Sequence, residues 1–414
     1  MNPSQLWLPY CQMHTAPEPQ TAVRTEGVRI FLRDGRSLID GTSSWWTACH
    51  GYNHPHIRHA VAEQLESMPH IMLGGLVHTP VLRLTDRLAR LLPGELNCVF
   101  YSESGSVAVE IAMKMALQYW INQDISGRTR FVSFRDAYHG DTFAAMSVCD
   151  PEDGMHRLFK GVLAEQLILE LPRSEAELEQ FEATIAEHKS GLAGIILEPL
   201  VQAAAGMKFH DPEVLAAVAD VAHRHGLLLI LDEIATGFGR TGTLFACEQA
   251  SVEPDIVTLS KALTGGTVPL AATVATRRVY DAFLSDHYEH ALMQGPTFCG
   301  NPLACAAANA SLDLFEREPR LAQAAAIEAQ LADGLAGCRE LPGVLDVRVK
   351  GAIGVVQLAR RPDLDDLRAR FIAEGVWVRP FGDVVYLMPP LVIDASDLGR
   401  LIEAVNSVVR VAVR

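Results

Sequence analysis

The sequence predicts an α/β protein with a large domain on a doubly wound, mostly parallel sheet. A smaller α+β domain is expected from the N- and C-terminal segments. Three observations point there. Short apolar runs alternate with helical stretches from residue 51 to about residue 311. Two of those runs, residues 227–233 and 255–266, are rich in Leu, Ile or Val and bounded by Gly or Pro, as buried parallel strands are. After a helical stretch through about residue 338 the pattern changes to strand-like VLDVRVKGAIGVVQL and a shorter α+β unit. The expected division is residues 1–50 as the N-terminal segment of the small domain, 51–311 as the large domain and 312–414 as the C-terminal segment.

Taken in order, the chain opens with a Pro-broken segment and then two β-rich runs joined at Asp34-Gly35, a hairpin signal. GTSSWWTACHGYNHP (residues 41–55) is too rich in turn residues and aromatics for regular structure. Helical stretches at 57–68, 80–92 and 107–120 interleave with strands at 98–101, 131–134 and 193–197. Helices at 363–374 and 395–411 flank WVRPFGDVVYLMPP near the end.

Composition narrows the function. The 414 residues are 49% hydrophobic and 21% charged, which calls for a sizeable core and excludes disorder. A formal charge of −15 argues against nucleic acid or an anionic membrane as a partner. No apolar run approaches a spanning helix, and MNPSQLWLPYCQ lacks the basic start and apolar core of a signal peptide. Eight scattered cysteines without a CxxC pair fit reduced thiols, so a cytoplasmic protein without a metal is expected.

The chemistry is expected where strands end, because ligands of open α/β sheets bind outside the carboxyl ends. The run at 227–233 brings Asp232 to such an end, and the run at 255–266 brings Lys261. An amine and an acid there suit pyridoxal phosphate: the amine forms a Schiff base, and the acid keeps the pyridine nitrogen protonated. Each residue alone has an ordinary reading, as an N-cap or a solvated loop lysine. Of six lysines, only Lys261 follows an apolar strand and precedes a Thr-Gly-Gly turn.

Other segments add to this. SESGS (residues 102–106) opens a helix in which Gly105 lets backbone N–H groups approach a phosphate, although a Ser-capped helix would look the same. FRDAYHGD places Tyr138 to cover a flat ring, with Asp141 in support. LEPLVQ puts Glu198 and Gln202 past a third strand, near the ring hydroxyl or the substrate. ATGFGRTG matches G-x-G-x-x-G, but no long helix opens at its third glycine; a Gly-rich lid carrying Arg240 is expected instead. GPTFCGNP holds Thr297, suited to a phosphate, and Arg379 offers a bidentate clamp for a carboxylate.

With these motifs in place, the whole chain resembles the fold-type-I pyridoxal-phosphate-dependent transferases of the class-III (ω-)aminotransferases. LLILDEIATGFGRTG with SKALTGG downstream carries the class resemblance. SSWW, HGYNHP, SGSVAVEIAMKMALQYW, YHGDTFAAMSVCD and GPTFCGNPLACAAANASL are similar to the branch that aminates 8-amino-7-oxononanoate with S-adenosyl-L-methionine in biotin biosynthesis. The resemblance implies pyridoxal 5'-phosphate on Lys261, with Asp232 at the pyridine nitrogen and Tyr138 over the ring. Gly105 and Ser106 would hold the phosphate, joined by Pro296 and Thr297 reaching across a homodimer interface. Tyr10, Trp45, Trp46 and Tyr138 would wall the substrate pocket with Gly295, and Arg379 would bind the keto acid's carboxylate. Lys261 would then shuttle the proton in ping-pong transamination. Two other readings stay open: an ω-aminotransferase using lysine, ornithine, 4-aminobutyrate or β-alanine, and a cofactor-free binding protein.

Overall fold

A computed structural model describes residues 5–152 and 156–413. The chain forms two compact units, one of Pro55–Leu321 and one of the residues up to His54 together with those from Ala322 onward. The expected boundary at residue 311 falls inside the helix Pro302–Arg317. That helix stays whole because Ala307, Ala310 and Leu314 on it pack with Ile57 in a buried apolar cluster.

The Pro55–Leu321 unit is built on a seven-stranded sheet. Its order is Leu96–Ser102, Ala271–Thr276, Ile256–Leu259, Leu228–Asp232, Leu192–Leu197, Arg130–Phe134 and Leu167–Leu169. Only Ala271–Thr276 runs against the others. Every residue of Leu192–Leu197 and Leu228–Asp232 is buried, which is why these strands read as continuous apolar runs. The helix Gly105–Ile121 packs Ile111, Ala112, Met115 and Ala116 into a core shared with Phe131, Ile196, Leu228, Ile230 and Ile256. Because Asp232 pairs in register with Thr258, the parallel strands leading to Asp232 and Lys261 end on the same edge of the sheet. Glu198, His139 and Ser104 follow the carboxyl ends of three further strands running the same way.

Two strands of this sheet are absent from the sequence reading. Leu167–Leu169 is three residues long and gives no run to detect. Ala271–Thr276 (AATVAT) is rich in alanine, a poor strand former, and becomes a strand by pairing on both sides. The run at 255–266 also divides. Its strand stops at Leu259, and Lys261, at φ +48°, opens a 3-10 turn to Thr264.

The other unit holds a four-stranded sheet, Ala22–Glu26, Arg29–Leu32, Ser37–Asp40 and Val376–Trp377, and a three-stranded one, Val344–Lys350, Ile353–Leu358 and Val384–Leu387. Helices Leu364–Ala373 and Ala395–Ala412 accompany them. The expected hairpin is present: Arg29–Leu32 pairs antiparallel with Ser37–Asp40 around Gly35 at φ +91°. Ser37–Asp40 and Val376–Trp377 are parallel, with Asp40 opposite Trp377. Just past Asp40 the chain makes a left-handed turn, with φ of +49°, +50°, +55° and +73° at Ser43, Ser44, Trp45 and Trp46. Such a run costs L-residues roughly 1–2 kcal/mol each. Among the described residues, no helix is long and apolar enough to cross a membrane.

Candidate active site

At the carboxyl edge of the large sheet, Asp232 ends its strand buried among three donors. Thr258 Oγ1 donates to Oδ1 at 3.2 Å, Ile234 N to the same oxygen at 3.1 Å, and His139 Nδ1 meets Oδ2 at 2.8 Å. A carboxylate only accepts, so the His139 proton resides on Nδ1 in this contact. His139 Nε2 is buried without a hydrogen-bond partner. Beside them Glu198 accepts from Tyr138 N at 3.0 Å and Ala203 N at 2.9 Å. Burial pushes its carboxyl up to about 7; nearby Asp232 adds to the rise, whereas His139 opposes it. Lys261 is half-buried, and desolvation lowers its ammonium to about 8 against the upward pull of Asp232 and Glu198.

A second feature of the edge is a cradle. Ser104 caps the helix Gly105–Ile121, its side chain accepting from Val107 N. The start of the helix leaves the first N–H groups without intrahelical acceptors and at the positive end of the dipole. Two glycines keep the space open. A Cβ on Gly105 would lie 3.0 Å from Ile234 Cδ1, and one on Gly140, at φ +131°, would fall on the Ser106 hydroxyl, 2.9 Å from Ser106 Cα. Ser106 Oγ in turn accepts from Asp141 N at 3.1 Å. Tyr138 stands above this loop, donating from its hydroxyl to Asp141 Oδ1 at 3.0 Å and stacking on His156 with centroids 5.9 Å apart. An amine, a hydrogen-bonded carboxylate and a glycine-lined helix start are the donor set pyridoxal phosphate needs, and the residues fit that group.

Gln202 is tied to the fold, its amide donating to Arg135 O at 2.6 Å. One expectation changes. The segment expected as a lid is packed inside: Thr236, Phe238, Arg240 and Thr241 are all buried. The reason is apolar contact, since Phe238 packs on Phe245 and Phe315 with centroids 5.5 and 6.1 Å apart. Gly295, Pro296 and Thr297 lie on a loop tied back to its own unit by Glu103 Oε1, which accepts from Phe298 N at 3.2 Å, and by His78 Nε2 at 2.8 Å from Gly300 O. Gly295, Thr297 and Phe298 are exposed on it. Sequence reasoning gives no role to His139 and Gly140, which sit inside the Tyr-His-Gly-Asp run; a His beside a Gly in a loop after a strand is the signal available.

The smaller unit gathers its own set. Arg379 leaves the Val376–Trp377 strand and lies over Trp45, 4.6 Å from the ring centroid. Tyr10 meets the edge of Trp45 at 6.1 Å, and Trp46 meets Tyr386 at 6.3 Å. Desolvation lowers the Arg379 guanidinium, with Arg368 adding to it. Among the described residues no carboxylate pairs with Arg379. The parallel register explains the meeting, because Asp40 and Trp377 are opposite one another and both chains continue in the same direction.

Comparison with known proteins agrees with this chemistry. The class-III aminotransferase family pattern matches residues 11–409. The adenosylmethionine-8-amino-7-oxononanoate aminotransferase of Corynebacterium glutamicum is 43% identical over 415 residues, covering 98% of this chain and 96% of that one. The solved structure of the enzyme of that name from Methanocaldococcus jannaschii superposes with a TM-score of 0.93 at 32% identity, covering 99% of this chain and 98% of that one. An amine transaminase from an uncultivated Pseudomonas species, solved with pyridoxal phosphate bound, matches at TM-score 0.92 and 32% identity, covering 99% of each chain. The fold is that of the type-I pyridoxal-phosphate-dependent transferases, and the chain belongs to the class-III aminotransferases.

Proposed function

We propose that this chain transfers an amino group from S-adenosyl-L-methionine to 8-amino-7-oxononanoate, forming 7,8-diaminononanoate for biotin. That is the reaction in the names of its Corynebacterium and Methanocaldococcus relatives. The observation that carries the reading is Arg379, a half-buried guanidinium on an indole face without an acidic partner among the described residues. Such a cation suits a substrate carboxylate. Trp45, Trp46 and Tyr10 then offer apolar and cation–π contact to a sulfonium nucleoside and, in turn, to an aliphatic keto acid.

The cofactor of the class is pyridoxal 5'-phosphate, which when bound supplies the electron sink that lets a substrate α-carbon lose a proton. Lys261 Nζ would hold it covalently and, as a neutral amine, would take that proton from the donor and return one to the keto acid's carbon. Asp232, oriented by His139 and Thr258, would pair with the ring nitrogen, and Tyr138 would cover the ring. Gly105 and Ser106 would hold the phosphate with their N–H groups. Pro296 and Thr297 would complete the phosphate site of a second copy, which makes the working form a homodimer, and we place it in the cytoplasm. Gly295 lines the substrate pocket on the same loop. Exposed Met72, Leu76, Val77 and Phe298 offer apolar side chains that a second copy could cover.

Stopped-flow absorbance of the separate half-reactions tests the proposal. S-Adenosyl-L-methionine should convert the bound cofactor much faster than lysine at equal concentration. Arg379→Ala should weaken the keto acid by roughly 2–5 kcal/mol, the scale for removing one partner of a buried charge pair. Faster conversion by lysine, or an unchanged response to the keto acid, would overturn the substrate assignment. The second reading is an ω-aminotransferase for other amines, as in the Pseudomonas structure. A simple amine leaves Arg379 without a carboxylate to bind.

A further inference from the structure

The two tryptophans ride on a backbone that glycine would adopt freely and Ser or Trp would not. Neither Ser43, Ser44, Trp45 nor Trp46 is glycine, and all four have positive φ. Something outside the turn must hold it, and the hydrogen bonds converge on Asp40. Its Oδ1 accepts from Thr42 N at 2.8 Å and Thr42 Oγ1 at 3.0 Å. Its Oδ2 accepts from Ser44 N at 2.9 Å and the Tyr52 hydroxyl at 2.6 Å. Tyr52 also lies 2.9 Å from the Ser44 hydroxyl, and its backbone is pinned by an exchange of hydrogen bonds with Gly27. On the other side Ser43 Oγ donates to Met388 O at 2.7 Å. Asp40 is fully buried, so four donors meet a carboxylate shielded from water, where such bonds are strong and costly to lose.

Asp40 is also the last residue of its strand and stands opposite Trp377, two residues before Arg379. One carboxylate thus anchors the turn that carries Trp45 beside the strand that delivers Arg379. We propose that Asp40, braced by Tyr52, is the positioning residue for substrate recognition: it holds the left-handed turn so that the Trp45 ring stays on the Arg379 guanidinium. It touches no substrate itself. The inference rests on the reading of Trp45, Trp46 and Arg379 as the substrate-binding residues.

The test combines Asp40→Asn with a rescue. Asparagine keeps the shape but replaces one acceptor oxygen by a donor, so a backbone N–H of the turn, of Ser44 or of Thr42, loses its acceptor, and the carboxylate's charge is lost from every bond. With 5-fluorotryptophan incorporated, the fluorine resonances of Trp45 and Trp46 should move in Asp40→Asn holoenzyme, while that of Trp120, in the other unit, stays. KM for both substrates should rise by about tenfold or more, the scale for lost charge-assisted bonds, with the kcat of each half-reaction within about twofold. Adding Ser44→Gly should return resonances and KM toward wild type, because glycine takes the turn without help. A general loss of stability would not be repaired by that glycine. Unmoved resonances, or failure of the glycine to restore them, would overturn the proposal. Resonances that move and return while both KM values stay flat would overturn the assignment of the tryptophans to substrate binding, and with it Asp40's part in recognition. If Asp40→Asn does not fold, Tyr52→Phe removes a single hydroxyl from the carboxylate; it should shift the same two resonances and raise KM, and no change in either would refute the role.

Discussion

Lys261 stands between burial, which favours the neutral amine, and two acids that favour the ammonium; burial prevails and leaves it at about 8. Capture of added pyridoxal phosphate by cofactor-stripped protein needs the neutral amine. Its rate should therefore rise with pH to a plateau above about 8 and fall roughly tenfold per unit below. A pH series of absorbance traces checks this, and a flat profile from pH 6 to 9 would refute it. The same shift links to stability. The folded lysine releases its proton at a lower pH than the unfolded one, so burial of the charge penalises folding below about 8. That penalty is relieved as pH rises from there toward the unfolded value. Lys261 and Asp232 were legible in the sequence because their position is a local matter of apolar run, charge and turn. His139, Asp40 and Gly140 were not, because each matters through a partner distant in sequence: Asp232 for His139, Ser44 and Tyr52 for Asp40, Ser106 for Gly140. The left-handed Ser-Ser-Trp-Trp turn has no sequence signal either, since residues that normally avoid positive φ form it.

Among the elements, the helix Gly105–Ile121 does two jobs with separate parts. Its length fills the core under the sheet, and its first turn faces outward beside Gly140. Its periodicity was plain in the sequence, whereas the loop that closes over its start was not. Gly140→Ala would drive a methyl group into Ser106, at a φ that alanine disfavours. Overpacking of this kind costs about 1–3 kcal/mol, and it should appear chiefly as weakened cofactor binding in equilibrium dialysis. A wild-type dissociation constant for pyridoxal phosphate would show that the Gly140 approach does not shape the cup. The reverse strand Ala271–Thr276 illustrates the opposite case, an element made by its neighbours. Three alanines among its six residues are tolerated there because both edges are paired.

For the molecule as a whole, the exposed Thr297 loop predicts complementation. Lys261→Ala and Thr297→Ala chains are each expected to be impaired. If Thr297 serves a second copy, mixed dimers contain one site with both Lys261 and Thr297 intact. Co-refolded mixtures should then regain activity that neither variant has alone, and no recovery would place Thr297 in its own chain's site.

The pairing of Ser37–Asp40 with Val376–Trp377 also has a consequence for how the protein is made. The Ser43 hydroxyl and its acceptor Met388 O are 345 residues apart in the chain. During synthesis the Pro55–Leu321 unit is complete, with its lysine and helix start, before the strand that completes the tryptophan turn has been translated. Contacts of such long sequence separation form late, after the loop-closure entropy of the intervening chain has been met. A nascent chain would thus acquire the means to hold the cofactor before the means to select what reacts with it. Pulse-labelled hydrogen exchange during refolding should find amides of Leu228–Asp232 protected ahead of those of Ser37–Asp40, and simultaneous protection would contradict that order.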